Sequence, residues 1–237
     1  MQPDLPCSRS RSGPENHFID SNALSPQIIE LALSYAERSV PETGFKDQSA
    51  FSCSMYYGFT RALRPCHALI VGTSMSDFAG RIALGIRENG AGRLTMIESS
   101  RHALDDLLSG NFYRKRLFSL SPRGALEEYR EQGILKQYEL TSEEFFVDYE
   151  RHNLPKIEFA LIDADRPFKD VRMDLACVMV NSRNNAIFFL HEGKSARKKP
   201  KDLSKIERLL ESVNKEAFEL ISIPSGSSDY LIRIVHD

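Results

Sequence analysis

The sequence predicts an α/β protein: a doubly wound, mostly parallel sheet that ends in an antiparallel hairpin. Three observations carry this prediction. From His67 onward, short apolar runs of strand length alternate with stretches of helical periodicity. The links between them are short, which makes them βαβ units with right-handed crossovers. The last two apolar runs flank Pro224-Ser225-Gly226-Ser227-Ser228, a turn segment that closes an antiparallel pair.

Taken in order, residues 1–24 are rich in Pro, Ser and Arg and read as a flexible N-terminal arm, with a phosphate-seeking tail as the alternative. Residues 25–64 form an N-terminal helical segment. Ser25 caps it, Pro26 takes the first helical position, and Ile28, Ile29, Leu31, Leu33 and Ala36 lay an apolar stripe that reaches about Val40. Pro41, Gly44 and Asp47 break it, and a second helix runs from about Ser54 to Leu63, before Pro65. Residues 65–237 form the α/β domain. Its first strand is His67–Val71, its first helix carries Phe78, Ile82, Leu84 and Ile86 up to Asn89-Gly90, and its second strand is Arg93–Ile97. Helices are expected at 101–109 and 123–132, and a brief strand at Tyr138-Glu139-Leu140. Ser142 is placed as the cap of a helix over 143–151. Further strands are expected at 157–162 and 186–190, helices at 168–181 and 203–214, and the hairpin at 218–223 and 230–235.

Composition excludes several functions. Hydrophobic residues make up 41% and charged residues 27%, enough apolar side chains for a full core. Lys and Arg number 31 against 33 Asp and Glu, a net charge of -2, so no positive field for nucleic acid is expected. No apolar run approaches the roughly 20 residues of a membrane helix, and the N-terminus lacks the apolar core of a secretory leader. Cys7, Cys53, Cys66 and Cys177 are scattered without a CxxC pair, which suggests reduced thiols in a cytoplasmic protein rather than a zinc or redox site.

In an open α/β sheet, ligands gather beyond the carboxyl ends of the strands. Here those ends carry Gly72 with Thr73 and Ser74, then Glu98, Ser142, Asp163 with Asp165, and His191 with Glu192. Three acidic ends along one sheet edge point to a site. A carboxylate closing the second strand can accept both hydroxyls of a ribose, so Glu98 is the candidate for an adenosine cofactor. The first turn, Gly72-Thr73-Ser74-Met75-Ser76-Asp77, has one glycine where a dinucleotide fingerprint needs three. Asp77 would also repel a pyrophosphate from the helix start, so the turn suits a cofactor without phosphate.

These residues resemble class I S-adenosylmethionine-dependent methyltransferases, in particular the metal-dependent catechol-type O-methyltransferases and the related "family 24" enzymes. Ala68 to Ser74 resembles the family's first motif, and Leu94 to Glu98 its second strand with the ribose-binding acid. Tyr138 to Ser142 resembles the stretch bordering the adenine. Phe159 to Phe168 is similar to the IDADK or IDGDH segment, and Phe188 to Glu192 to the strand ending in HD or DN. The likeness covers about residues 60–237. It implies a Rossmann-like, seven-stranded sheet with helices on both faces, bound S-adenosylmethionine, and Gly72, Thr73, Ser74, Glu98, Ser142 and Asp163 as cofactor-binding residues. The chain departs from the family at Ile70, where an acid is usual, at Ser74 and Ser76, where glycines are usual, and at Asn184-Asn185, where a Gly-Gly pair is common.

The reaction implied is methyl transfer to an oxygen of a small molecule or glycan. The alternative is a protein that kept the fold as a binding or scaffold module; a nicotinamide oxidoreductase ranks third. Asp163 and Glu192, with Asp165 or His191 nearby, offer hard donors for Mg²⁺ or another divalent cation. His191 can instead serve as general base, which makes Asp163 and His191 the candidate catalytic pair. The plainer alternative has Asp163 capping a turn and His191 and Glu192 solvated. Lys194, Arg197, Lys198, Lys199 and Lys201 follow, and suit either a solvated loop or an anionic acceptor. A small-molecule acceptor, no nucleic acid, no membrane, and a homodimer through the N-terminal helices complete the expected partners.

Overall fold

The computed structural model describes residues 26–39, 48–72, 76–98, 123–164, 166–192, 208–209, 218–224 and 228–234. Two helices, α1 (Pro26–Arg38) and α2 (Gln48–Leu63), precede the first strand β1 (His67–Val71). Then come α3 (Ser76–Asn89), β2 (Arg93–Ile97), α4 (Arg123–Glu131), β3 (Leu135–Tyr138), α5 (Ser142–Val147), a 3-10 turn (Tyr149–His152), β4 (Ile157–Asp163), α6 (Phe168–Val180) and β5 (Ser182–Glu192). β6 (Phe218–Pro224) and β7 (Ser228–Ile234) close the chain. The strands lie in the order β3-β2-β1-β4-β5-β7-β6. β1 to β5 run parallel, while β7 is antiparallel to both β5 and β6. The mostly parallel sheet and its terminal antiparallel pair are as expected.

Side chains alternate along β1, β2, β4 and β5 between two apolar clusters. Ala68, Ile70, Leu94, Met96, Phe159, Leu161, Ile187 and Phe189 pack with Tyr56 and Phe59 of α2 and Phe78, Ile82 and Ile86 of α3. Leu69, Val71, Ile97, Ala160, Ile162, Phe188 and Leu190 pack with Phe145 of α5 and Val171, Leu175 and Val178 of α6. The first cluster draws the N-terminal helices onto the sheet. α1 can approach α2 closely because the contact uses small residues: a Cβ on Gly58 would stand 2.1 Å from the Ala32 carbonyl oxygen. Among the described residues no helix is long and apolar enough to cross a membrane.

The structure corrects the sequence reading in several places. α2 starts at Gln48 rather than about Ser54, and Phe51 in its first turns packs against the core. β3 lies three residues earlier than expected. Gly133, in the left-handed region at φ +71, turns the chain straight from α4 into the strand, and Leu135 is buried there. The cap of α5 is Thr141, not Ser142. Thr141 and Glu144 form a reciprocal capping box, so Ser142 is already helical. The helix expected over 143–151 divides into α5 and the 3-10 turn. β5 begins at Ser182, with a register shift between Ile157 and Phe159 of its neighbour β4. Within it Asn185 takes φ +65, a conformation a glycine adopts freely and asparagine tolerates. Its side-chain oxygen accepts from the buried Arg233 guanidinium at 2.6 Å. Cys53 and Cys177 are free thiols, but Cys66 is disulfide-bonded, which corrects the expectation of reduced cysteines throughout. The arm, the helix expected at 101–109, most of that at 203–214, and the basic loop from Lys194 lie outside the described residues.

Candidate functional site

The carboxyl ends of β1, β2, β4 and β5 form one row. Val71 lies beside both Ile97 and Ile162, and Asp163 lies beside His191. One residue past Val71, the row therefore reads Glu98, Gly72, Asp163, His191 across β2, β1, β4 and β5. Backbone bonds carry the ladder through it. The Gly72 N–H donates to the Ile97 carbonyl at 3.1 Å, and the Glu98 N–H donates to the Tyr138 carbonyl at 3.0 Å. At about 4.8 Å per strand the row spans roughly 14 Å. All four residues share the strand phase of Ile70, Met96, Leu161 and Phe189, so they open onto the face covered by α2 and α3.

Gly72 sits at the middle of this row with φ +135. A Cβ there would stand 2.4 Å from Asp163 Cβ, so only glycine lets β1 end against the aspartate. Asp163 is buried, with 2% of its surface exposed. His191 points into the α2–α3 face. Its Nδ1 lies 3.2 Å from the Tyr56 hydroxyl, and its ring meets Phe78 edge to face at 4.8 Å between centroids. Tyr56 is itself fully buried and stacks edge to face on Phe78 and Phe189. Tyr56 and Phe78 thus both hold the imidazole from this face.

At the other end of the row, Glu98 is half-buried. Burial and the neighbouring Glu139 push its carboxyl above the usual range, and Arg130 opposes them. Gln137 of β3 donates from Nε2 to Glu98 Oε2 at 2.8 Å. The amide oxygen of Gln137 accepts from Arg130, which also pairs with Glu127 at 2.8 Å.

Four of the residues selected from sequence thus come together: Gly72, Glu98, Asp163 and His191. Ser142 does not join them. Its hydroxyl bonds to Asp174, a buried carboxyl that burial pushes upward and that Arg166 and Ser142 pull back down. Glu192 is the last residue of β5, opposite Ser228, and its side chain lies outside the described residues, as do Thr73, Ser74 and Asp165. Among the described residues no three His, Cys, Asp or Glu side chains gather closely enough to hold a metal ion.

Sequence reasoning missed Tyr56 and Gln137. Tyr56 sits in an apolar helix that carries no motif, so nothing marked it. Gln137 could have been found, because a strand placed at 135–138 sets it beside Met96 on the site face.

No protein-family profile matches the chain, and no curated protein matches it in sequence. Solved structures do match its fold. TomG, an O-methyltransferase from Streptomyces achromogenes involved in tomaymycin synthesis and solved with S-adenosylmethionine, superposes with a TM-score of 0.54 at 13% identity, over 93% of both chains. The O-methyltransferase from Bacillus cereus, in complex with S-adenosylhomocysteine, gives 0.54 and 13%, covering 93% of this chain and 94% of its own. A protein from Clostridium thermocellum, provisionally described as an rRNA methylase, gives 0.50 at 9% identity over 81% of this chain and 98% of its own. At such identities the likeness establishes the fold alone: this chain has the fold of class I S-adenosylmethionine-dependent O-methyltransferases.

Proposed function

We propose that the protein is an S-adenosylmethionine-dependent methyltransferase acting on an oxygen of a small molecule or glycan. The observation that carries this reading is the row Glu98, Gly72, Asp163, His191, gathered on one face at one sheet edge. The residues suit the cofactor: a glycine that lets the backbone come close, and a half-buried carboxylate one strand away for a ribose diol. Thr73 and Ser74 would complete the turn beside it. Bound S-adenosylmethionine would supply an electrophilic methyl group on sulfur. His191, held by Tyr56, would take the proton that the acceptor hydroxyl loses, and Asp163 would orient the acceptor. A divalent cation, if used, would be held by Asp163 with Glu192 and would lower the acceptor pKa.

The near-neutral charge supports a small-molecule acceptor over nucleic acid, and the basic run from Lys194 to Lys201 favours an anionic one. One observation favours the second reading, a binding or scaffold module without catalysis. Ile70 is fully buried in apolar surroundings where the resembled family places an acid for the methionyl amino group.

Calorimetric titration with S-adenosylmethionine and S-adenosylhomocysteine, with and without Mg²⁺, tests the proposal. Micromolar binding that Glu98→Ala abolishes supports the cofactor site, and tighter binding with Mg²⁺ supports the metal pair. No binding in any condition sinks the enzyme reading. Binding with no transfer to any acceptor in a broad hydroxyl screen favours the module.

A further inference from the structure

We infer that Gln137, clamped by Arg130, is a positioning residue that occupies one oxygen of Glu98 and presents the other to a vicinal diol. This rests on the S-adenosylmethionine reading above and adds a second tier to its ribose contact. Gln137 lies on β3 beside Met96, one strand outside Glu98 and on the same face of the sheet. Its amide orientation is determined by its partners. A guanidinium has no acceptor, so the amide oxygen must face Arg130, and the NH₂ group is left facing Glu98. An NH₂ group can only donate, so the contact at 2.8 Å favours the ionised carboxylate over the protonated acid.

Glu98 needs that help. Burial and the nearby Glu139 both favour protonation. A protonated carboxyl would offer a donor where a diol needs acceptors. Among the described residues Oε2 of Glu98 has Gln137 as its partner, while Oε1 has none. Glu98 thus has one oxygen anchored and one available, its rotamer held by a chain of bonds that runs through Gln137 and Arg130 to Glu127 on α4. Arg130 and Gln137 are only partly buried, so water could satisfy both. Their alignment on Glu98 is what sets this arrangement apart from a chance surface contact.

The test is a double-mutant cycle read by calorimetry with S-adenosylhomocysteine on the full-length protein, using Gln137→Met, Glu98→Gln and the pair together. Gln137→Met is expected to weaken binding about fivefold to tenfold, the worth of one partly solvated bond to a carboxylate, with an unchanged melting temperature. In the Glu98→Gln background the same substitution should weaken binding by a clearly smaller factor, below about threefold, because an amide oxygen can still accept from Gln137 but has no charge for it to stabilise. Arg130→Met, at a partly exposed position, should weaken binding in the same direction by a smaller factor. A Gln137→Met affinity equal to wild type, or an equal loss in both backgrounds, overturns the inference, since a merely structural glutamine would act without regard to Glu98. Absence of binding by the wild-type protein overturns the function proposed above and this inference with it. Wild-type binding without the coupling overturns this inference alone.

Discussion

Gly72→Ala tests the geometry of the site row without any ligand. Two costs act at that position. The backbone stands at φ +135, where an L side chain is strained by about 1–3 kcal/mol. The new methyl carbon would also stand 2.4 Å from Asp163 Cβ, far inside carbon–carbon contact. That overlap forces β1 and β4 apart or displaces the aspartate, and overpacking of a close-packed interior costs about 1–3 kcal/mol more. A loss of about 2–6 kcal/mol is expected in urea unfolding, with Tm lowered by roughly 4–24 °C for a chain of this size. The two costs separate experimentally. Asp163→Gly in the Gly72→Ala background removes the atom struck and should restore about half of the loss, leaving the backbone strain. A Gly72→Ala protein within about 0.5 kcal/mol of wild type would refute the close approach of the two strand ends. A loss that Asp163→Gly leaves untouched would show that the aspartate is not what the methyl meets.

Three further outcomes follow from the buried polar groups. His67, enclosed between Pro155, Thr95 and Tyr149, is held neutral: burial pushes its pKa from 6.5 down to about 4. Its folded value lies below the unfolded one, so the unfolded chain binds more protons between the two. That stability is intact above about pH 6.5 and is lost as pH falls toward about 4, by up to about 3 kcal/mol. Urea unfolding of wild type and His67→Gln at several pH values should show a wild-type slope in this window that the variant lacks. Arg166→Met leaves Asp174, which is 1% exposed, without its cation, and should cost about 3–5 kcal/mol; adding Asp174→Asn should recover most of it in the same unfolding assay. Tyr56→Phe removes the hydroxyl facing His191 Nδ1 and should cost about 1 kcal/mol of stability. It should leave S-adenosylhomocysteine affinity unchanged in calorimetry and lower the turnover of any acceptor that is found.

How far the fold can be read from the sequence depends on which strands are covered on both faces. β1 and β4 are buried from end to end or nearly so, and each contains an unbroken apolar run, Ala68–Val71 and Phe159–Ile162. β3 is at the sheet edge, with Lys136 exposed and Gln137 half-buried, so it has no such run; the aromatic Tyr138 drew the predicted strand three residues too late. That displacement hid Gln137. The candidate site has the same division. Gly72, Glu98, Asp163 and His191 are legible because each closes a strand, and strand ends can be listed without knowing the register. Tyr56 and the Arg130–Gln137 pair are not, because each acts on a residue brought near only by folding, from a helix or an edge strand with no motif of its own. The helix cap is a local version of the same problem. Thr141 and Ser142 are equally good capping types, and only the reciprocal bond with Glu144, three residues beyond Thr141, decides between them.

The row itself carries a constraint that single motifs do not. Because side chains alternate along a strand, sliding any one of these four strands by one residue would turn its end residue to the opposite face. Glu98, Gly72, Asp163 and His191 share a face only if β2, β1, β4 and β5 all end in register. The core enforces this, since Leu94, Ala68, Phe159 and Ile187 on one side and Ile97, Leu69, Ala160 and Phe188 on the other fill two different apolar clusters. A one-residue slip would exchange the two sets and misfit both. The packing that gives the sheet its stability thus also sets the site row. Departures from the resembled family act differently according to where they fall. Asn184-Asn185 lies near the amino end of β5, exposed and away from the site row, where Asn185 takes the backbone conformation a glycine would and gains a bond from Arg233. Ile70, two residues before Gly72 and on the same face, replaces a charge with core packing beside the row, so it bears on ligand chemistry rather than on folding. For that reason the cofactor titration is the decisive measurement: the fold tolerates both changes, and only binding can separate them.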